Sequence, residues 1–348
     1  MRETAHKTGI LSGPSIGPVH PCGAAFLAPL SGVTDIGMRR IAEGTGAGLV
    51  VSEMVASDEY LNGRNEARLR AEGEGLSTHV VQIAGFDPHL MSDAARMVED
   101  AGADIIDINM GCPSKRVNGK SSGSALMCDL DRATSLISAT VGAVRVPVTL
   151  KMRLGWDDTS QNAPELARRA EDLGVQLVTV HGRTRQQFYK GKANWAAIWP
   201  VREAISIPLV ANGDCQSIAD ARAMLDISGA DAVMIGRAAI GRPWLVGEVA
   251  AGLAGRTMPM LTRARKASLA CRHLETLLEA IGEPAGLRHA RKHLAAYADH
   301  LAPAGATGAW SAARRRLVTS ENSSEVMQLL VELMTGFDTA GAAAGEAA

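Results

Sequence analysis

Aromatic residues are scarce in this chain: Phe, Trp and Tyr together make up 3% of 348 residues, so few rings are available for a planar ligand to stack on. Cysteine is sparse and odd in number. The five (Cys22, Cys112, Cys128, Cys215 and Cys271) lie far apart, which argues against a disulfide framework and for a reducing compartment. No Cys-x-x-Cys or Cys/His group occurs at ligand spacing, so no metal is expected, neither zinc nor an iron–sulfur centre. No apolar run approaches the roughly 18 residues of a membrane span. Residues 1–20 lack the apolar centre of a signal peptide. Formal net charge is −1, so affinity for a polyanion would have to come from a local patch. No Gly-x-Gly-x-x-Gly follows the first apolar run, which weakens an open dinucleotide-binding sheet. The default expectation is a cytoplasmic enzyme, taken as a monomer although nothing in the sequence fixes its oligomeric state, with 46% apolar and 21% charged residues and length for one large domain and a smaller one.

Between about residues 22 and 250, short apolar runs alternate with longer amphipathic stretches. The spacing predicts strands at 25–29, 49–53, 79–84, 104–110, 147–152, 177–181, 208–212 and 231–235. Helical spacing fills the gaps, for example at 90–99, 166–173 and 218–225. Gly102, Gly174 and Gly229 follow such helices and suit left-handed C-caps. Strand–helix alternation implies a parallel sheet, and eight strands in this length fit a (β/α)8 TIM barrel better than a doubly wound sheet. After about residue 255 the pattern changes to helices alone, at 264–282, 284–301, 306–319 and 323–335. The expected organisation is an N-terminal extension 1–20, a catalytic barrel 21–255, a helical-bundle domain 256–336 and a low-complexity Ala/Gly tail 337–348.

Reactive side chains stand where the apolar runs stop: Ser31 and Asp35, Glu53, Gln82, Asn109 with Cys112, Lys151 with Arg153, His181 with Arg183, Asn212 with Asp214, and Arg237. In a barrel all of these ends share one rim, and that rim carries the chemistry. Cys112 follows a strand that ends at Gly111 and is fixed by Pro113; its loop runs on through Lys115, Arg116 and Lys120. Three features point to a phosphorylated cofactor at the mouth. Asn212-Gly213-Asp214 and Gly236-Arg237 follow the seventh and eighth strands, where barrels hold phosphate on glycine amides, and Arg237 can add a bidentate contact. Lys151 offers a cation suited to the anionic edge of a reduced flavin, while Gln82 offers an amide to a heterocycle's edge, with Ala28-Pro29-Leu30 as a stiff wall.

These motifs resemble, in order, those of the tRNA-dihydrouridine synthases, the bacterial type B branch in particular. The resemblance covers about residues 22–300 and rests on Ala28-Pro29-Leu30-Ser31-Gly32-Val33-Thr34-Asp35, Asn109-Met110-Gly111-Cys112-Pro113, Leu150-Lys151-Met152-Arg153, His181-Gly182-Arg183-Thr184, Asn212-Gly213-Asp214 and Gly236-Arg237. It implies an FMN enzyme that reduces uridines in the tRNA D-loop with NADPH (or NADH) as electron donor. Cys112 would protonate C5 of the uracil while hydride from the flavin reaches C6. Ala28, Pro29, Leu30, Gln82, Lys151, His181, Asn212, Gly213, Asp214, Gly236 and Arg237 would hold FMN, with Asn109, Arg153 and His181 around flavin and target base. A cysteine of ordinary pKa, about 8.5, keeps its proton at neutral pH, and the base has to leave its stack to reach the mouth. Two positions depart from the family pattern: Leu30 stands where Met is usual, and Ala295-Ala296 where Gly-Trp is common.

Charge supports an RNA partner. Residues 261–320 carry ten basic side chains against four acidic ones, and four of the nine histidines. Arg288, Arg291 and Lys292 there, with Lys115, Arg116 and Lys120 on the cysteine loop, are the candidates for phosphate contacts. Tyr189, Trp195 and Tyr297 are the candidates for stacking. The principal rival is an FMN barrel of the dihydroorotate or dihydropyrimidine dehydrogenase kind, acting on a small molecule; it leaves the basic helical domain unexplained. A non-catalytic RNA-binding protein on an inherited barrel leaves the intact rim unexplained.

Overall fold

The computed structural model describes residues 12–114 and 122–336. Within them, nine strands form one sheet in which every pairing is parallel. They are β1 (Ala25–Leu27), β2 (Leu49–Val50), β3 (Val55–Ala56), β4 (Val80–Ala84), β5 (Ile105–Met110), β6 (Val148–Arg153), β7 (Leu177–His181), β8 (Leu209–Asn212) and β9 (Ala232–Ile235). The order across the sheet is β2-β1-β9-β8-β7-β6-β5-β4-β3. Its two ends, β2 and β3, are halves of one short stretch of chain, so the sheet closes on itself as a (β/α)8 barrel.

The closure is a refinement of the strand expected at 49–53. The chain changes neighbour midway: Val51 N–H donates to Leu27 O in β1 at 3.4 Å, and Ser52 N–H to Val80 O in β4 at 3.0 Å. The Ser52 hydroxyl then accepts the Gln82 N–H at 2.9 Å, standing in for a main-chain carbonyl. A side chain thus satisfies the ladder where the backbone has turned away.

Helices connect successive strands, and side-chain oxygens cap several of their N-termini. Asp87 accepts from His89 N and Leu90 N, with Pro88 opening helix Pro88–Asp100. Asp129 and Ser217 cap helices Leu130–Val141 and Ile218–Ser228, each cap contributing about 1 kcal/mol. Gly102, Gly174 and Gly229 all have positive φ, as expected at the turns back into the sheet.

Parallel register puts partner residues on the same face. One face of β5–β8 carries Ile106, Ile108, Met110, Val148, Leu150, Met152, Val178, Val180, Leu209 and Ala211, all buried and packed in the apolar core. The other carries Asp107, Asn109, Thr149, Lys151, Arg153, Thr179, His181 and Asn212, with Gln82 of β4 in register with Asp107. The apolar face meets the helices. The polar face turns to the barrel axis.

Two compact units divide the chain: residues up to Ala239 with Trp244–Met258, and Ile240–Pro243 with the chain from Pro259 onward. The second holds helices Arg263–Ile281, Glu283–His300, Ala309–Thr319 and Ser323–Thr335. Their inward residues include Leu269, Leu274, Leu277, Leu287, Leu294, Leu317, Leu330 and Leu333, all buried. The third helix begins later than the expected 306, because Gly305 and Gly308 take positive φ in the turn before it. Among the described residues no helix is long and apolar enough to cross a membrane.

Candidate active site

A chain of side-chain hydrogen bonds runs through the barrel interior to Cys112. Thr149 Oγ1 donates to Asp107 Oδ1 at 2.6 Å, and Gln82 Nε2 donates to Asp107 Oδ2 at 2.6 Å. Gln82 Oε1 accepts from Asn109 Nδ2 at 2.7 Å. Asn109 Oδ1 in turn accepts the backbone N–H groups of Gly111 at 3.1 Å and Cys112 at 2.9 Å. Gln82, Asp107, Asn109 and Thr149 are all buried. Buried amides and carboxyls are tolerable because every one of these groups has a partner.

Two further clamps hold the cysteine's backbone. Arg153 Nε donates to Gly111 O at 2.7 Å, and Ser124 donates to Cys112 O through N–H at 3.1 Å and Oγ at 2.9 Å. Cys112 itself is half-buried. Burial pushes its thiol above the usual range; the Ser114 amide, Arg153 and Lys151 pull the other way without cancelling the effect. The group therefore holds its proton at neutral pH, which suits an acid rather than a nucleophile.

Arg153 is buried, and its Nη1 donates to Thr184 O at 3.0 Å and Phe188 O at 2.9 Å. It thereby ties the cysteine loop to the loop after β7. Lys151, in register with Asn109, has no hydrogen-bond or ion-pair partner among the described residues. Burial, and then Arg153 beside it, lower its pKa to about 8. It remains largely cationic at neutral pH.

His181 Nδ1 lies 2.8 Å from Asn212 Oδ1, and Arg183 Nη1 lies 3.3 Å from His181 Nε2. Asn212 Nδ2 donates to Met234 O at 2.7 Å, which leaves Oδ1 facing the ring and makes Nδ1 the protonated nitrogen. Burial, then Lys151 and Arg153, push its pKa well below the usual histidine value. The ring is neutral, with a lone pair on Nε2.

The loops after β7, β8 and β9 converge on one carboxylate. Asp214 Oδ2 accepts from Arg183 Nη2 at 2.5 Å and from Ala193 N at 2.8 Å, and Oδ1 accepts from Arg237 Nη2 at 3.2 Å. Arg183 and Arg237 help keep Asp214 ionised, below the usual carboxylate range, against a burial effect of opposite sign. Asp214 and Phe188 are the non-glycine residues with positive φ among those described, at +58° and +51°. Strained backbone of this kind survives only where its surroundings enforce it. Gly213 has φ +123°, and a β-carbon there would lie 2.7 Å from Ala193 Cβ. Gly236 is different: a β-carbon would meet Ala28 Cβ and Leu30 Cδ2 at an ordinary 3.6 Å. Gly236 therefore sits beside Ala28 and Leu30, with the Arg237 guanidinium 53% exposed next to it.

The ring of Tyr189, half exposed, lies 5.5 Å from Arg153 Cζ and 5.1 Å from Arg237 Cζ. Trp195 donates Nε1–H to Gly213 O at 2.8 Å and so braces the turn after β8. Tyr297 is buried in the helical unit with its hydroxyl 2.9 Å from His273 Nδ1, so its ring is no stacking surface.

Ala28, Leu30, Gln82, Asn109, Cys112, Lys151, Arg153, His181, Asn212, Gly213, Asp214, Gly236 and Arg237 thus all lie on the barrel strands or within three residues of their carboxyl ends. Pro29 is half-buried between Ala28 and Leu30. Arg288 and Arg291 belong to the helical unit, where they line a cavity of about 580 Å³ with Glu283, Asn322 and Ser323; Lys292 is exposed on the same helix. Lys115, Arg116 and Lys120 lie outside the described residues. Sequence reasoning gave no role to Asp107, Thr149 or Ser124, and none to Arg183 beyond its place at the rim. The alternation along β5 was the available signal for Asp107, since it shares a face with Asn109.

The dihydrouridine synthase (Dus) family profile matches residues 26–332. A Rhizobium leguminosarum bv. phaseoli protein named "Probable tRNA-dihydrouridine synthase" is 56% identical over 278 residues, 80% of this chain and 86% of that one. "tRNA-dihydrouridine synthase B" of Xanthomonas axonopodis pv. citri is 48% identical over 288 residues, 82% and 87% of the respective chains. Among solved structures, histamine dehydrogenase from Rhizobium sp. 4-9 superposes with a TM-score of 0.54 at 14% identity, covering 95% of this chain and 65% of that one. That likeness speaks for the fold alone.

Proposed function

The chain belongs to the dihydrouridine synthase family, and from that membership we propose that it reduces the C5–C6 double bond of specific tRNA D-loop uridines to 5,6-dihydrouridine, with resident FMN and NADPH or NADH as reductant. The residues present fit a flavin mononucleotide. Lys151 is a half-buried cation without a partner among the described residues, suited to an electron-rich ring edge. Gly236, where a β-carbon would meet nothing closer than 3.6 Å, precedes the half-exposed Arg237, a pair suited to a phosphate. Ala28, Pro29 and Leu30 supply the apolar wall. Bound FMN, once reduced, supplies the hydride that C6 of the uracil accepts.

The protein's own groups do the rest. Hydride at C6 leaves an electron pair at C5, and the Cys112 S–H gives its proton there; solvent restores the thiol. Lys151 offers a cation to the polar edge of a planar partner, while neutral His181, held between Asn212 and Arg183, adds no charge of its own. Arg153 and Asn109 keep the thiol's backbone in place. Exposed Arg288 and Lys292, with Arg291, contribute charge that draws tRNA phosphates.

The observation that carries this reading is a thiol held protonated at the end of the barrel, on a backbone pinned by Asn109, Arg153 and Ser124. Purified protein should be yellow and release FMN on denaturation. Cys112→Ala should keep flavin reduction by NADPH and lose dihydrouridine formation on tRNA. A colourless protein that FMN does not reconstitute, or normal turnover by Cys112→Ala, would overturn the reading. Turnover of free dihydropyrimidines with no action on tRNA would favour the small-molecule rival.

A further inference from the structure

Asp107 touches neither the mouth nor Cys112, yet it is the anchor of the chain that ends there. Its two oxygens each face a donor, Thr149 Oγ1 and Gln82 Nε2, both at 2.6 Å. Oδ2 is an acceptor whether the carboxyl is ionised or carries a proton on Oδ1, towards the Thr149 hydroxyl. An acceptor at this point decides which way the Gln82 amide faces, because only Nε2 can donate to it. Gln82 then presents Oε1 to Asn109, so Asn109 presents Nδ2 to Gln82 and Oδ1 to the amides of Gly111 and Cys112. Were the first amide reversed, the second would reverse with it, and two N–H donors of the loop would face an NH2 group. Burial pushes the Asp107 carboxyl up, with the Thr149 and Gln82 hydrogen bonds and the Lys151 cation pulling the other way without cancelling the effect.

We propose that Asp107 is a positioning residue for Cys112: by accepting from Gln82 it sets the polarity of the Gln82–Asn109 amide chain and so fixes the backbone that carries the thiol. This rests on the functional reading above for its purpose, though not for its geometry. The device is polarity rather than charge. Asparagine at 107 can still offer an oxygen to Gln82 while its NH2 meets the Thr149 hydroxyl, which can accept. Leucine cannot.

Hydrogen–deuterium exchange resolved at Gly111 and Cys112, with iodoacetamide alkylation of Cys112 followed by mass spectrometry, tests this without any need for turnover. Asp107→Leu should speed exchange at those two amides about tenfold and change the alkylation rate, while Val180 and Val210 elsewhere in the sheet stay within twofold. Asp107→Asn should restore the wild-type pattern. In parallel, Asp107→Leu should lower kcat for dihydrouridine formation about tenfold with KM for tRNA within twofold. If Asp107→Leu does not fold, Gln82→Met cuts the same chain one link closer to Cys112 and should give the same local loosening. Uniform acceleration across the sheet, unchanged exchange at Gly111 and Cys112, or an Asp107→Asn protein as loose as Asp107→Leu would overturn the proposal. A wild type that forms no dihydrouridine would sink the functional reading and leave the exchange result to decide this one.

Discussion

His181 Nδ1 lies 2.8 Å from Asn212 Oδ1, and that pairing, with the burial around it, fixes the ring as a neutral acceptor at Nε2. A histidine whose folded pKa is depressed costs stability as soon as solution pH favours its charged form in the unfolded chain. The contribution is whole above pH about 6.5 and drains as pH falls towards the folded value, by at most about 1.4 kcal/mol per unit. His181→Gln should therefore show a shallower loss of Tm between pH 6.5 and 5 than the wild type. Parallel acid limbs in the two thermal-unfolding series would disprove it.

Lys151 gives a dependence at the other end of the scale. Its pKa of about 8 means the cation is lost as pH rises through that value. FMN affinity should fall above pH 8, approaching tenfold per unit where only the protonated form binds, since FMN binding and proton binding are linked. Lys151→Met should bind FMN more weakly at pH 7 and with no pH dependence from 7 to 9.5. Fluorescence titration of the apoprotein reads both quantities directly.

Gly213 and Gly236 separate fold from ligand. Alanine at 213 meets both a positive φ and Ala193 Cβ at 2.7 Å, so Gly213→Ala should lose about 1–3 kcal/mol of stability in denaturant. Gly236→Ala fits, with its nearest neighbours at 3.6 Å, and should unfold within about 0.5 kcal/mol of wild type. A drop in FMN affinity for Gly236→Ala at unchanged stability would place a ligand against that residue. Unchanged affinity would remove Gly236 from the proposed cradle.

Arg153 donates to Gly111 O, Thr184 O and Phe188 O, and lysine has neither the reach nor the number of fixed donors to replace it. Arg153→Lys should cost about 2–4 kcal/mol, the price of carbonyls left unpaired inside the protein. Urea unfolding should show it as a lower midpoint at constant slope. A variant as stable as wild type would free Arg153 for direct contact with substrate, the role its motif suggested.

Much of this was legible beforehand because β periodicity is strict. Once residues 105–110 are read as a strand, Asp107 and Asn109 must share a face, and the end of the strand must carry Cys112 outward. The split of the second strand was not legible. Nothing in Leu49–Val50 and Val55–Ala56 marks the point where the backbone changes partner; the Ser52 hydroxyl that covers the gap looks like any other serine. Arg153 and Arg237 both read as rim cations. Only packing shows that one is buried and donates to three carbonyls while the other is 53% exposed. The late start of the Ala309–Thr319 helix came from Gly305 and Gly308, whose φ the sequence leaves open.

Asp214 has a backbone that glycine would adopt with less strain, at φ +58°. Selection for stability alone would favour glycine there, by up to about 1 kcal/mol by the reckoning for left-handed positions. The carboxylate that stands there instead locks three loops from three neighbouring strands through Arg183, Ala193 and Arg237. Asp214→Gly should thus be a rare kind of variant, one whose local backbone relaxes while the end of the barrel comes apart. Residue 214 is where stability and working order pull against each other.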